Sequence, residues 1–142
     1  FKIVDEKDYA HSGYDRGHLC NSEDRTSAEY LNEETFLMSN MIPQTRELNR
    51  GPFKMLEAYC RKLAIKKGMN LLIYSGGIGA KDRLASNVIV PAYCWKVVYT
   101  PEKIWCILFP NEHVLNKNWQ TYSVPLETLE KMTGFKFPRK LL

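Results

Sequence analysis

In one stretch of the chain, residues 51–67, apolar and polar positions repeat with the period of an α-helix. Pro52 suits the first turn of such a helix, where a missing backbone N–H costs nothing, and Gly68 suits its end. The apolar positions recur every three or four residues and form one stripe, made of Phe53, Leu56, Cys60, Leu63 and Ala64. The pattern therefore predicts a helix that packs on a core through this stripe.

Downstream of this helix the pattern changes to short apolar runs that are typical of β-strands. The predicted strands cover residues 71–74, 88–90, 94–100 and 104–109. Gly76 is predicted to close the first of them, and residues 100–103 suit a hairpin connection between the last two. A last helix is predicted from about Pro125 through Met132, with Gly134 as its stop.

Upstream of the helix the chain is more polar, and the predicted elements are shorter. Residues 14–20 are predicted to be extended and to run into a turn at Gly17, and residues 39–42 to form a strand that Pro43 ends. Between them, residues 26–29 match the capping-box pattern and predict a short helix. Because no repeat or linker interrupts the chain, the economical interpretation is one α+β domain.

Composition agrees with a single globular domain. The 142 residues are 44% hydrophobic and 25% charged, and no apolar run approaches the roughly 20 residues of a membrane helix. The net charge of +4 suits a polyanionic partner without demanding one. No signal peptide is recognisable, and the first residue is Phe rather than Met. We interpret residues 1–142 as one domain and expect an upstream stretch to be missing.

The four cysteines, Cys20, Cys60, Cys94 and Cys106, include no C-x-x-C pair, so a structural zinc site is not expected. Three of them lie in apolar patterns, which favour buried free thiols. The alternative is a disulfide between Cys94 and Cys106, which lie on neighbouring predicted strands.

Candidate chemistry begins at His18, which follows Asp15, Arg16 and Gly17. A neutral imidazole accepts a proton from water near pH 7, as the general base of phosphodiester hydrolysis must. On an extended segment Arg16 and His18 project to the same face, so the guanidinium could hold a phosphate beside the base. The alternatives are a purely structural histidine and a weak surface ion pair between Asp15 and Arg16.

A second group of polar residues lies at the predicted helix. Asn49 comes just before it, and Glu57 and Arg61 lie within it one turn apart. An amide oxygen with a carboxylate suits a hydrated ion such as Mg²⁺. The alternatives are that Asn49 only caps the helix and that Glu57 and Arg61 form a solvated pair.

Together these residues resemble the DNA/RNA non-specific endonuclease family, which consists of metal-dependent ββα nucleases. The positions that carry the resemblance are Asp15-Arg16-Gly17-His18, Asn40, Pro43-Gln44, Asn49, Glu57 and Arg61. The tetrapeptide alone is a weak signal, whereas six positions in register are a strong one. Weaker likeness extends over nearly the whole chain, although Phe53 stands where the family would have tryptophan.

The resemblance implies a role for each of these residues. His18 would be the general base, Asn49 would bind Mg²⁺ (or Mn²⁺), and Glu57 would hold waters of the ion. Arg61 would offset negative charge, with Arg16 assisting. The implied catalytic set is His18, Asn40, Glu57 and Arg61, the substrate-binding set Asp15, Arg16 and Gln44, and the metal-binding set Asn49 and Glu57. Within these sets, Asn40 and Asp15 are expected to orient other groups rather than react.

The implied fold is the ββα-metal (His-Me finger) fold, with a mostly antiparallel sheet, helices packed on it and further N-terminal strands missing. The implied activity is Mg²⁺-dependent cleavage of DNA and RNA without sequence specificity. The alternatives are a catalytically inactive nucleic-acid-binding module and a DNA-only nuclease. The expected partners are DNA and RNA, with a homodimer and an inhibitor protein as further candidates, and the expected location is secreted or periplasmic.

Overall fold

The computed structural model of the chain describes residues 5–20 and 40–140. Helices and antiparallel strands both occur in these ranges, so the predicted α+β class is confirmed. The short helix predicted at residues 26–29 lies outside the described residues. Within the described ranges, no helix is both long enough and apolar enough to cross a membrane.

The first two strands form a short antiparallel ribbon. Strand β1 (Asp15–His18) pairs with β2 (Met41–Gln44), so that Asp15 lies opposite Gln44 and His18 opposite Met41. Pro43 was predicted to end β2 but lies inside it, because proline is tolerated in strands that have an open edge.

Gly17 is needed for packing, and the predicted turn there is wrong. The residue lies within β1, paired with Ile42, and a Cβ atom at this position would overlap the side chain of Gln44. A residue without a side chain lets the two strands approach this closely around a buried amide.

Two helices follow the ribbon. Helix α1 (Arg46–Asn49) is capped by the Thr45 hydroxyl, which accepts a hydrogen bond from the Leu48 N–H. Helix α2 (Pro52–Lys66) agrees with the helix predicted over residues 51–67. The periodic stripe was sufficient to locate it.

The remaining strands build the main sheet. Strand β3 (Leu72–Ile78) is followed by the short pair β4 (Asp82–Arg83) and β5 (Ile89–Val90), and then by β6 (Tyr93–Tyr99) and β7 (Ile104–Pro110). The antiparallel order is β3-β6-β7. The glycine at position 76 does not end β3 as predicted, because it makes room for the Trp95 ring on the neighbouring strand.

Apolar clusters fill both sides of this sheet. One contains the α2 stripe and alternate strand residues, namely Leu48, Phe53, Leu56, Cys60, Cys94, Val98, Ile107, Phe109 and Trp119. The other, beside helix α3 (Leu126–Thr133), contains Trp95, Val97, Tyr99, Cys106, Leu129 and Phe137. Strand β6 is therefore buried on both faces, and the alternation of a strand puts Lys96 on the α2 side with Cys94 and Val98.

All four cysteines lie in described residues, and none is in a disulfide. Cys94 lies opposite Phe109 and Cys106 opposite Val97, so the two thiols belong to different faces of the sheet. Burial raises the pKa of each of these two thiols to about 11. Buried thiols are confirmed at Cys60, Cys94 and Cys106, Cys20 is a partly buried thiol, and the register excludes the disulfide alternative.

Candidate active site

The ribbon and α1 bring Asp15 and Asn49 into direct contact. Asn49 Nδ2 donates to Asp15 Oδ2 at 2.9 Å. Arg50 holds the same carboxylate with two hydrogen bonds, from Nε at 2.9 Å and from Nη2 at 3.0 Å. The alternative of an Asp15–Arg16 ion pair is therefore wrong. Since the Asn49 amide group points its nitrogen at Asp15, its oxygen is left for another partner.

Asp15, Arg16 and Asn49 share one cleft of about 410 Å³ with Glu6, Tyr9, Ala10 and Tyr14. Arg16 Nη1 lies 2.9 Å from Glu6 Oε1, and both side chains are substantially exposed. An exposed pair of this kind contributes little to stability. The cleft thus combines an amide oxygen with a guanidinium whose present partner is easily displaced.

His18 lies two residues beyond Arg16 on the same face of β1. Its ring is half-buried, and its pKa is lowered from the ordinary value of 6.5, first by burial and then by the positive charge of Arg16. Both causes disfavour the protonated form. The imidazole is therefore neutral near pH 7 and able to accept a proton.

Asn40 fixes the chain just after His18. Its Oδ1 accepts from the Cys20 N–H at 2.9 Å, and its Nδ2 donates to the Cys20 carbonyl at 2.9 Å. The Asn40 carbonyl accepts from the Leu19 N–H at 2.8 Å. With both ends of its amide occupied by the main chain, Asn40 is placed to orient the His18 segment.

Gln44 does not suit the substrate-binding role that was predicted for it. Its side chain has 0% exposure and lies against Gly17, beside the thiol of Cys94. Gln44 lies opposite Asp15 across the ribbon, at the end of β2. A substrate cannot reach Gln44 in this arrangement.

Glu57 and Arg61 lie one turn apart on α2, as predicted. Glu57 is only 8% exposed, whereas Arg61 is partly exposed. Neither lines the cleft that contains Asn49. The structure thus groups Asp15, Arg16 and Asn49 in one cleft. His18 lies two residues after Arg16 in β1, and Glu57 and Arg61 lie on α2.

Several residues of the site were missed from the sequence. Arg50 holds Asp15, and Glu6 holds Arg16. Asn111 is completely buried and connects three segments, because its amide donates to Pro43 and Pro91 carbonyls and accepts from the Thr45 N–H. Lys96 is buried behind the His18 segment. The last of these had a signal, since it is a charged residue in an otherwise apolar strand.

Comparisons with protein families and with curated proteins both find nucleases. The sequence matches the family described as DNA/RNA non-specific endonuclease over residues 2–142. It is 38% identical to a nuclease of Nostoc sp., a match that covers 91% of this chain and 52% of the relative. It is 32% identical to the mitochondrial nuclease EXOG of Xenopus laevis, over 92% of this chain and 42% of the relative. The chain spans about half the length of these curated relatives.

A solved structure has a similar fold. It is that of an EndoG/EndoGI complex, described in terms of EndoG inhibition, and it matches with a TM-score of 0.82 at 26% sequence identity. The match covers 94% of this chain and 62% of the solved chain.

Proposed function

The chain belongs to the DNA/RNA non-specific endonuclease family, and from this premise we propose that it hydrolyses internal phosphodiester bonds of DNA and RNA with a bound divalent cation. The geometry of Asn49 supports this proposal best. Its amide nitrogen is held by Asp15, and its oxygen is thereby available at the wall of a cleft that also contains Arg16. The proposed cation ligand and the proposed phosphate-binding group thus line the same cleft.

The groups at the cleft fit a hydrated cation such as Mg²⁺ or Mn²⁺. In residues 5–20 and 40–140, no three His, Cys, Asp or Glu side chains converge as a metal cage. A single amide oxygen suits a hard ion that keeps most of its waters. Asn49 would hold the ion directly, and Glu57, which lies outside the cleft on α2, would act through waters of the ion. When bound, the cation supplies Lewis-acid stabilisation of the charge that develops on the phosphate and the leaving oxygen.

His18 takes the proton of the attacking water in this proposal. Its lowered pKa keeps the imidazole neutral near pH 7, which a general base requires. The main chain beyond it is held by Asn40 through Cys20, so the ring is attached to a fixed segment. Fixing the base reduces the entropy that must be lost on reaching the transition state.

The two arginines provide positive charge for the phosphate. Arg16 lines the cleft, and a phosphate can replace the exposed Glu6 carboxylate as its partner. Arg61 is proposed to offset the charge of the transition state from α2. Asp15 acts through Asn49 and Arg50, because these two residues occupy its carboxylate.

These contacts explain why both nucleic acids are proposed as substrates. Phosphate and cation contacts carry no information about the base, and no contact of this kind depends on a 2′-hydroxyl. A protein inhibitor is a further candidate partner, since the related EndoG structure is a complex with EndoGI. Homodimer formation and export from the cell stay predictions.

The proposal is tested by incubating the chain with plasmid DNA, single-stranded DNA and total RNA in Mg²⁺, in Mn²⁺ and in EDTA. We expect all three substrates to be degraded with either cation and none in EDTA. Degradation of DNA alone would restrict the activity to a DNA nuclease. Binding of the substrates without cleavage under every condition would contradict the proposal and indicate an inactive binding module.

A further inference from the structure

Lys96 is a buried charge in the middle of the main sheet. It lies in β6 between the buried residues Trp95 and Val97, and only 4% of its surface is exposed. Removing an ammonium group from water is costly unless the protein gives it specific contacts. The groups that contact the Lys96 ammonium therefore indicate what this residue does.

The ammonium lies between the two elements that carry the candidate catalytic groups. Its Nζ donates to the Leu19 carbonyl at 3.1 Å, and Leu19 directly follows His18. The same Nζ lies 4.8 Å from the centroid of the Phe53 ring, within the range of a cation–π contact. Phe53 is one helical turn before Glu57 on α2.

We propose that Lys96 is a positioning residue that holds the His18 segment against α2. The Leu19 N–H donates to the Asn40 carbonyl and the Cys20 N–H donates to the Asn40 side chain, and Lys96 adds a donor at the Leu19 carbonyl. Without its ammonium the partly buried Leu19 carbonyl loses this donor, and the segment relaxes. The consequence for the reaction rests on the proposed function, in which His18 is the base.

The activity test compares Lys96→Met with Lys103→Met. Lys103 is the matched control, because its Nζ also lies over an aromatic ring, 3.5 Å from the Trp105 centroid, but on the hairpin between β6 and β7. We expect Lys96→Met to lower kcat by about 10- to 100-fold with little change in KM, as displacement of a catalytic group does. Lys96→Arg, which keeps charge and donors, should recover part of this loss, and Lys103→Met should cleave like the unmodified chain. A folded Lys96→Met variant with unchanged kcat would overturn the proposal.

Amide hydrogen exchange gives a second readout that needs no catalysis. In Lys96→Met the Leu19 and Cys20 amides should exchange faster, while the Thr100 amide, bonded to the Lys103 carbonyl at 2.9 Å, should not change. A uniform acceleration, or none, would overturn the positioning role even if kcat falls.

If the unmodified chain cleaves no substrate, the proposed function fails, and exchange alone decides whether Lys96 positions the segment. Lys96→Gln takes the place of a Lys96→Met variant that does not fold, and failure of both to fold would make Lys96 a stability element and overturn the proposal.

Discussion

At the scale of single residues, the surroundings of His18 bear most directly on chemistry. Burial and the neighbouring Arg16 charge both lower the pKa of the imidazole below 6.5. A base must be unprotonated to act, so cleavage is lost as pH falls through this lowered value. A cation bound near the ring would lower the pKa further, in the same direction.

The first prediction concerns the pH dependence of cleavage. The acidic limb of kcat/KM should lie below pH 6.5, and Arg16→Met should move it upward but not fully to 6.5, because burial is the larger cause. The limb is measured from rates between pH 4.5 and pH 8 and compared with the NMR titration of the His18 ring. Lys54→Met, which removes an exposed charge from α2, is the control and should leave the limb in place. A limb at or above 6.5 in the unmodified chain would argue against the neutral base.

Single residues also show what a sequence motif can and cannot predict. Asp15 and Asn49 were recognised because their identity and spacing are distinctive, but their contact depends on how β1 packs against α1. Arg50 was missed for the same reason, since its partner is 35 residues away. Gln44 was recognised by identity and given a substrate-binding role that its burial does not suit, because identity does not tell which side of a short strand is buried.

At the scale of elements, the ribbon depends on the glycine at its centre. A Cβ at Gly17 would overlap the buried Gln44 side chain. His18 is the next residue in the same strand. The position of the base is thus coupled to the closeness of β1 and β2.

The second prediction follows from this packing. Gly17→Ala should lower the free energy of unfolding by about 1–3 kcal/mol, the usual cost of an extra methyl in a packed site. In a Gln44→Ala background the same change should cost clearly less, because the overlapping atoms are absent. Urea unfolding of the four proteins gives the coupling. Equal costs in both backgrounds would show that overlap with Gln44 is not the cause.

The bounds of an element were predicted well where an apolar repeat extends over many residues, and poorly where they depended on the meaning of a single residue. The stripe of α2 extends over several turns, so its helix was located to within about one residue at each end. Strand β3 was cut short, because Gly76 has the appearance of a turn residue in sequence. Only the packing of Trp95 across the sheet explains why a glycine is there.

At the scale of the whole molecule, the layers explain why the site lies where it does. The main sheet is covered by α2 on one side and by α3 on the other, and the ribbon with α1 lies at the α2 side. The fold and the family could be predicted from spaced polar residues and apolar periodicity, and both are confirmed. The contacts of Lys96 and Asn111 could not be predicted, because their partners come from distant parts of the chain, although the charge of Lys96 in an apolar strand marks that position in the sequence.

The measurement that tests the central claim most directly is the cleavage rate of His18→Ala on single-stranded DNA in Mg²⁺. The control is His113→Ala, which alters an exposed histidine that pairs with Glu47 outside the cleft. We predict that His18→Ala lowers kcat by about 100- to 10,000-fold, the usual contribution of a general base, and still binds DNA. His113→Ala should cleave normally. Equal rates for His18→Ala and the unmodified chain would contradict the assignment of His18 as the base.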